Sequence, residues 1–271
     1  MTQHRTLILR TAGTNCDAEL ARAFQLAGST PDLVHQTTLA KDPSILDRYN
    51  IAAFPGGFAH GDDIAAGRVL AAFVRDRLYE KLTQLIEREG AVLGVCNGFQ
   101  VLVQIGLLPG PTDPTTTPPS AAHPPTVALA ANTSGRFICE WTPIAPNPDS
   151  NCIWTAPLTN RPPSEPELAL PIAHAEGRLV APDHATIDNI TAQHRDALRY
   201  TRNPNGSAAN IAGLTDHTGR VLGLMPHPER FLTWQHHPNA PNLPRSLHQT
   251  ETPALAMFRA AVNATAAVPT A

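Results

Sequence analysis

The sequence predicts an α/β fold on a mostly parallel sheet, and two observations carry that prediction. Strand-like and helix-like stretches alternate over the first hundred residues, as in βαβ units. The apolar run Ala91–Val95 is followed at once by Cys96, then by Val101, Leu102 and Ile105 at helical spacing, with Gly106 as a stop. This second stretch reads as strand, sharp turn and helix with a cysteine at the turn. The rest of the chain is organised around it.

In chain order, Arg5–Arg10 reads as the first strand. A polar turn, residues 11–15, leads to a helix over Asp17–Ala27 with Leu20, Phe24 and Ala27 on one face and Gly28 as its stop. Residues 32–36 read as a second strand, and Ile51–Phe54 as a third that ends in Pro55-Gly56-Gly57. One long amphipathic helix is expected over 69–88, its stripe made of Leu70, Phe73, Val74, Leu78, Leu82, Leu85 and Ile86. Beyond the cysteine turn, seven prolines between 109 and 125 forbid helix and central strand and predict an extended surface loop. Strand-like alternation returns at 136–141, and a second proline-rich stretch covers 143–166. The C-terminal elements follow as a strand at Ala169–His174, a short helix at 183–193, strands at Ile211–Thr215 and 221–225, and a closing helix at 252–262. The 271 residues are thus expected to form a single domain, 1–271, with proline-rich insertions at about 109–131 and 143–167.

Composition excludes several function classes. The net charge of -3 implies no strong electrostatic partner, so neither nucleic acid nor an acidic membrane surface is expected. The four cysteines show no C-x-x-C spacing, which removes support for a disulfide scaffold or a zinc knuckle. Leu7-Ile8-Leu9 is too short for a signal peptide and no stretch is long enough to span a bilayer, so a reducing cytoplasm is the expected compartment.

Three stretches carry chemistry. Gly94-Val95-Cys96-Asn97-Gly98 is the cysteine form of the nucleophile elbow, with glycines where side chains would crowd the turn. A thiol there sits at a helix N-terminus, where the helix dipole favours its thiolate. The competing reading is a buried cysteine in a tight turn. Gly56-Gly57-Phe58-Ala59-His60-Gly61-Asp62-Asp63 follows a strand and belongs at the same sheet end. It lacks a P-loop lysine, and the chain has no G-x-G-x-x-G, so an oxyanion hole fits better than a phosphate cradle. Its donors would be the Asn97 N–H and an N–H near Gly57. His60, Asp62 and Asp63 imitate a metal site, but a solvated loop is the simpler reading and no metal is expected. Met225-Pro226-His227-Pro228-Glu229-Arg230 places a base and a carboxylate two residues apart on a backbone that its prolines keep extended, so that both share a face. A free thiol is only a few per cent ionised at neutral pH, and the leaving group needs a proton. A Cys96–His227–Glu229 set supplies both requirements.

Together these motifs resemble the class I (triad) glutamine amidotransferases, and more narrowly the glutaminase subunits of phosphoribosylformylglycinamidine synthase. The supporting stretches are Gly13-Thr14-Asn15-Cys16-Asp17, Gly56-Gly57-Phe58 with Gly61-Asp62, Ser134-Gly135-Arg136-Phe137, residues 171–178 and 203–207, in the family's order. The resemblance implies a flavodoxin-like open sheet with helices on both faces. It implies Cys96 as nucleophile, His227 as base and then acid, and Glu229 as its orienter. Gly57, Phe58, Asn97 and Gln100 would border the L-glutamine pocket, with His174 and Glu176 as further candidates. The expected activity is hydrolysis of glutamine through a cysteine thioester, with ammonia passed to a large synthetase subunit that aminates formylglycinamide ribonucleotide in purine biosynthesis. A small subunit would bridge the two. No cofactor is expected in this chain; ATP and magnesium would belong to the synthetase. The family pattern is departed from at His60, Ala65 and Ala175. An amidotransferase or cysteine hydrolase of another pathway, and a catalytically silent interaction subunit, are the alternative readings.

Overall fold

The computed structural model describes residues 4–111, 124–161 and 165–265. The chain runs β1 (Arg5–Arg10), α1 (Asp17–Ala27), β2 (Thr30–His35), α2 (Gln36–Lys41), β3 (Ile51–Phe54), α3 (Arg68–Arg77), α4 (Tyr79–Glu87), β4 (Ala91–Val95) and α5 (Asn97–Gln104). It continues through β5 (Ala128–Ala131), β6 (Ile138–Pro146), β7 (Ala169–His174), β8 (Glu176–Val180), α6 (His184–Ala192), β9 (Leu198–Tyr200), β10 (Ile211–Thr215), β11 (Val221–Leu224) and α7 (Pro253–Thr265).

Nine strands form one sheet in the order β2-β1-β3-β4-β11-β10-β9-β6-β7. The half from β2 to β11 is parallel. From β11 to β7 every pairing is antiparallel. Strands β3, β4 and β11 are buried along their whole length, as continuous apolar runs in the middle of a covered sheet must be. Helix α1 packs on α7, while α5 packs with α3 and over β3, β4 and β11. Right-handed crossovers put these two groups on opposite faces, because the chain moves along the sheet in opposite directions after β1 and after β3.

Several elements differ from the sequence expectation. The long helix over 69–88 is two helices, broken at Leu78 (φ −121°, ψ −12°). The break turns Leu78 into the core, and no proline or glycine marks it. The 136–141 strand is longer, and β6 runs into the second proline-rich stretch. Pro143 is tolerated there because its carbonyl side faces Thr201, just past the end of the short β9, where no ladder partner needs its missing N–H. That stretch also enters the core. Cys152, Trp154 and Leu158 are buried, and Trp154 meets Phe24 of α1 edge-on at 6.3 Å. Most of the proline-rich loop expected over 109–125 lies outside the described residues. The sequence reading had no counterpart for α2, β5, β8 or β9.

Candidate active site

The parallel half of the sheet brings three loops to one edge. They follow β3, β4 and β11, at the carboxyl ends of adjacent strands where open α/β sheets place their sites. Cys96 is the hinge between β4 and α5 and holds φ 51°, ψ −104°, a conformation that costs a non-glycine residue about 1–3 kcal/mol. The turn is tight on both sides of it. A Cβ on Gly98 would lie 2.0 Å from the Phe54 carbonyl oxygen, and one on Gly94 2.7 Å from that of Gly98. The Cys96 thiol is nearly covered and donates weakly to the Ala173 carbonyl at 3.8 Å.

His227 follows β11, and its N–H donates to the Pro171 carbonyl at 2.8 Å, which ties the loop to β7. Its Nδ1 lies 2.6 Å from Glu229 Oε1, with both residues about 1% exposed. The pair does not share an extended face as the sequence reading expects. Pro228–Arg230 forms one 3-10 turn with Pro228 at its start, and Glu229 reaches the ring from that turn. Burial alone would lower the His227 pKa. The Glu229 carboxylate, helped by the sulfurs of Cys16 and Cys96, outweighs it and holds the imidazole well above its ordinary value. Both sulfurs are within reach of the ring, yet Nε2 makes no hydrogen bond in this arrangement.

The cavity at this edge has a volume of about 190 Å³. Drug-sized ligands occupy roughly 300–1,000 Å³, so this one fits a small molecule. Gly57 and Phe58 lie on its wall, with Phe58 half exposed at the rim. Gln100 is buried in the wall and donates from Nε2 to the Glu176 carbonyl at 2.6 Å, which anchors the β7–β8 turn to α5. Asn97 is the first residue of α5, where N–H groups lack helical partners. Its side chain accepts from the Ala59 N–H and donates to Asp62 and Gln100, clamping the glycine loop onto the helix. Of the apparent metal set, only Asp62 reaches the cavity wall, whereas His60 bonds Thr11 and Gln36.

His174 and Glu176 also line the cavity. The His174 Nδ1 pairs with Asn132 Oδ1 at 3.0 Å, and its Nε2 is buried without a partner. Burial, with the nearby His227 charge second, pushes its pKa down to about 4, so it is neutral near pH 7. Ala175 is exposed on the turn between them.

Sequence reasoning gave no role to Cys16, Asn15, Arg230 or Phe137, all of which line the cavity. Cys16 precedes α1, its thiol donates to Asn15 Oδ1 at 3.2 Å, and Arg230 donates to its sulfur at 3.1 Å. Their only signal was membership of the motif strings around them. All four cysteines are free thiols, and Cys16, Cys96 and Cys152 are buried. Among the described residues no helix is long and apolar enough to cross a membrane.

A cysteine on an elbow and an imidazole bonded to a carboxylate thus stand at one small cavity. Residues 3–264 match the CobB/CobQ-like glutamine amidotransferase domain, and the chain belongs to that family. The "Phosphoribosylformylglycinamidine synthase subunit PurQ" of Dehalococcoides mccartyi is 44% identical over 247 residues, covering 89% of this chain and 91% of that one. The protein of the same name from Treponema denticola is 37% identical over 243 residues, covering 83% and 87%. The solved structure of PurLQS from Thermotoga maritima aligns with a TM-score of 0.70 at 28% identity, over 96% of this chain and 98% of that one.

Proposed function

We propose that this chain is the glutaminase subunit of a phosphoribosylformylglycinamidine synthase in purine biosynthesis. The observation that carries the reading is the convergence of Cys96 and His227, from two strand ends, on one cavity of small-molecule size, with Glu229 bonded to the ring of His227 behind its wall. The names of the relatives supply the pathway.

The geometry supports a two-stage hydrolysis. Cys96 gives its proton to His227 and attacks the side-chain amide carbon of glutamine. The oxyanion that forms is held by backbone N–H groups at Gly57 and Asn97. His227, kept cationic by Glu229, protonates the departing nitrogen, and ammonia leaves behind a glutamyl thioester on Cys96. His227 then takes a proton from water, which attacks the thioester and releases glutamate. Phe58 at the rim and Gln100 in the wall shape the glutamine pocket, and His174 and Glu176 line it with them.

Ammonia passes to a large synthetase subunit, which binds ATP and magnesium and aminates formylglycinamide ribonucleotide. A small subunit bridges the two, and the assembly works in the cytoplasm. The test is reconstitution of this chain with the purified synthetase and bridging subunits. Glutamine should then replace ammonium in amidine formation, and Cys96→Ala should abolish the glutamine-dependent rate alone. A continued need for ammonium with the wild-type chain would sink the assignment.

A further inference from the structure

The reaction proposed above leaves one polar atom of the cavity wall unused. His174 lines the cavity from the edge strand β7, which runs beside the catalytic groups. The Pro171 carbonyl of that strand takes the His227 N–H at 2.8 Å, and the Ala173 carbonyl faces the Cys96 sulfur at 3.8 Å. His174 is the next residue, and its ring is fixed from two sides. A Cβ on Gly177 would lie 2.6 Å from its Nδ1 and Cε1, so the ring packs on bare backbone there. Its Nδ1 lies 3.0 Å from Asn132 Oδ1. The other ring nitrogen, Nε2, is buried and has no partner.

The Asn132 side chain decides which nitrogen carries the proton. Asn132 is 2% exposed, and its Nδ2 donates to the carbonyls of Arg136 and His174, both at 2.9 Å. Carbonyls only accept, so the amide cannot be turned round. Its Oδ1 therefore faces the ring, and an oxygen acceptor there requires Nδ1 to be the donor. The Asn132 backbone is held as well, its N–H donating to the Ala175 carbonyl at 2.8 Å. Burial disfavours a second proton on the ring, which stays neutral near pH 7. Nε2 is then a bare lone pair.

We propose that Asn132 is a positioning residue that locks His174 as the Nδ1–H tautomer, and that the Nε2 lone pair accepts an N–H of the bound substrate. Glutamine offers two such donors, the carboxamide and the α-ammonium, whereas its oxygens would meet the lone pair with lone pairs of their own. A buried acceptor selects for the donor it is built for, because an analogue without that donor leaves the acceptor unpaired. The tautomer rests on the side-chain arrangement alone; its use in substrate recognition rests on the glutaminase reading.

Two measurements test the proposal. Two-bond proton–nitrogen spectra of the full chain with nitrogen-labelled histidine, assigned with His174→Phe, should show His174 protonated at Nδ1 and bare at Nε2 near pH 7. Asn132→Leu should shift the ring towards Nε2–H. An Nε2–H ring in wild type overturns the proposal. Hydrolysis by the reconstituted complex is then compared for wild type and His174→Phe on three substrates. These are glutamine, glutaramate, which lacks the α-ammonium, and glutamate γ-methyl ester, which lacks the carboxamide N–H. The variant should lose at least about tenfold in kcat/KM on glutamine. That loss should shrink to within about threefold on the one analogue whose missing group is the donor. A merely structural defect cuts all three rates alike, so an equal loss on all three overturns the proposal, as does a loss below about threefold on glutamine. His174→Gln, whose carboxamide can place an acceptor near the Nε2 position, should recover part of the loss. Circular dichroism checks that the variants are folded, and the wild-type spectrum decides the tautomer if they are not. A wild-type complex that hydrolyses no glutamine sinks the glutaminase reading and the role towards glutamine with it, while the spectrum still judges the tautomer lock.

Discussion

Glu229→Gln tests the electrostatic core of the site. The carboxylate lies 2.6 Å from His227 Nδ1 and both groups are buried. The amide keeps the shape and one acceptor, so the ring can stay in place while the charge is lost. Burial, the largest single influence on His227, is then no longer outweighed by a carboxylate. The imidazolium that must protonate ammonia becomes unfavourable. General acid–base catalysis is worth roughly 10²–10⁴-fold, or about 3–5 kcal/mol of barrier. Glutamine hydrolysis by the reconstituted complex should therefore lose about two to four decades in kcat. KM should stay within about threefold, since Glu229 does not line the cavity. Stability gives an independent readout. A histidine whose folded pKa is raised contributes stability that is complete below its unfolded value near 6.5 and is lost as pH rises through the folded value. The stability difference between wild type and Glu229→Gln should thus be greatest at about pH 6 and shrink on the alkaline side. A variant within about threefold of wild-type kcat would refute the reasoning.

Other substitutions probe the frame. Cys96→Gly and Cys96→Ala should both abolish glutamine hydrolysis, but the glycine form should be about 1 kcal/mol more stable by denaturant titration, because φ 51° strains any Cβ. Gly98→Ala should cost about 3 kcal/mol or more, or prevent folding, since its Cβ would overlap the Phe54 carbonyl. His174 has a folded pKa lowered to about 4, so the unfolded chain binds the extra proton and stability falls as pH drops from about 6.5 towards 4. That loss should reach about 3 kcal/mol, and thermal melts of His174→Gln should lack it.

What the sequence makes legible is local. The strand, turn and helix at Cys96 lie within fifteen residues, and their hydrophobic period changes at the cysteine itself. His227 and Glu229 stand two apart, so their pairing also needs no long-range information, although the 3-10 turn that joins them was not foreseen. In the antiparallel half β7, β10 and the first part of β6 are legible as strands, whereas the three-residue β9 and the proline-containing end of β6 are defined only by pairing with their neighbours. Leu78 breaks a helix whose apolar stripe continues through it, and only the packing requires the break. Cys16 and Arg230 are 214 residues apart, and the contact between them becomes visible only when β1 and β11 end at the same edge of the sheet.

The most direct measurement is mass spectrometry of the reconstituted complex, acid-quenched during turnover with glutamine and digested. One glutamyl group should appear on the peptide that carries Cys96, and it should vanish in Cys96→Ala. A glutamyl adduct on Cys16 instead, or full turnover by Cys96→Ala, would contradict the account.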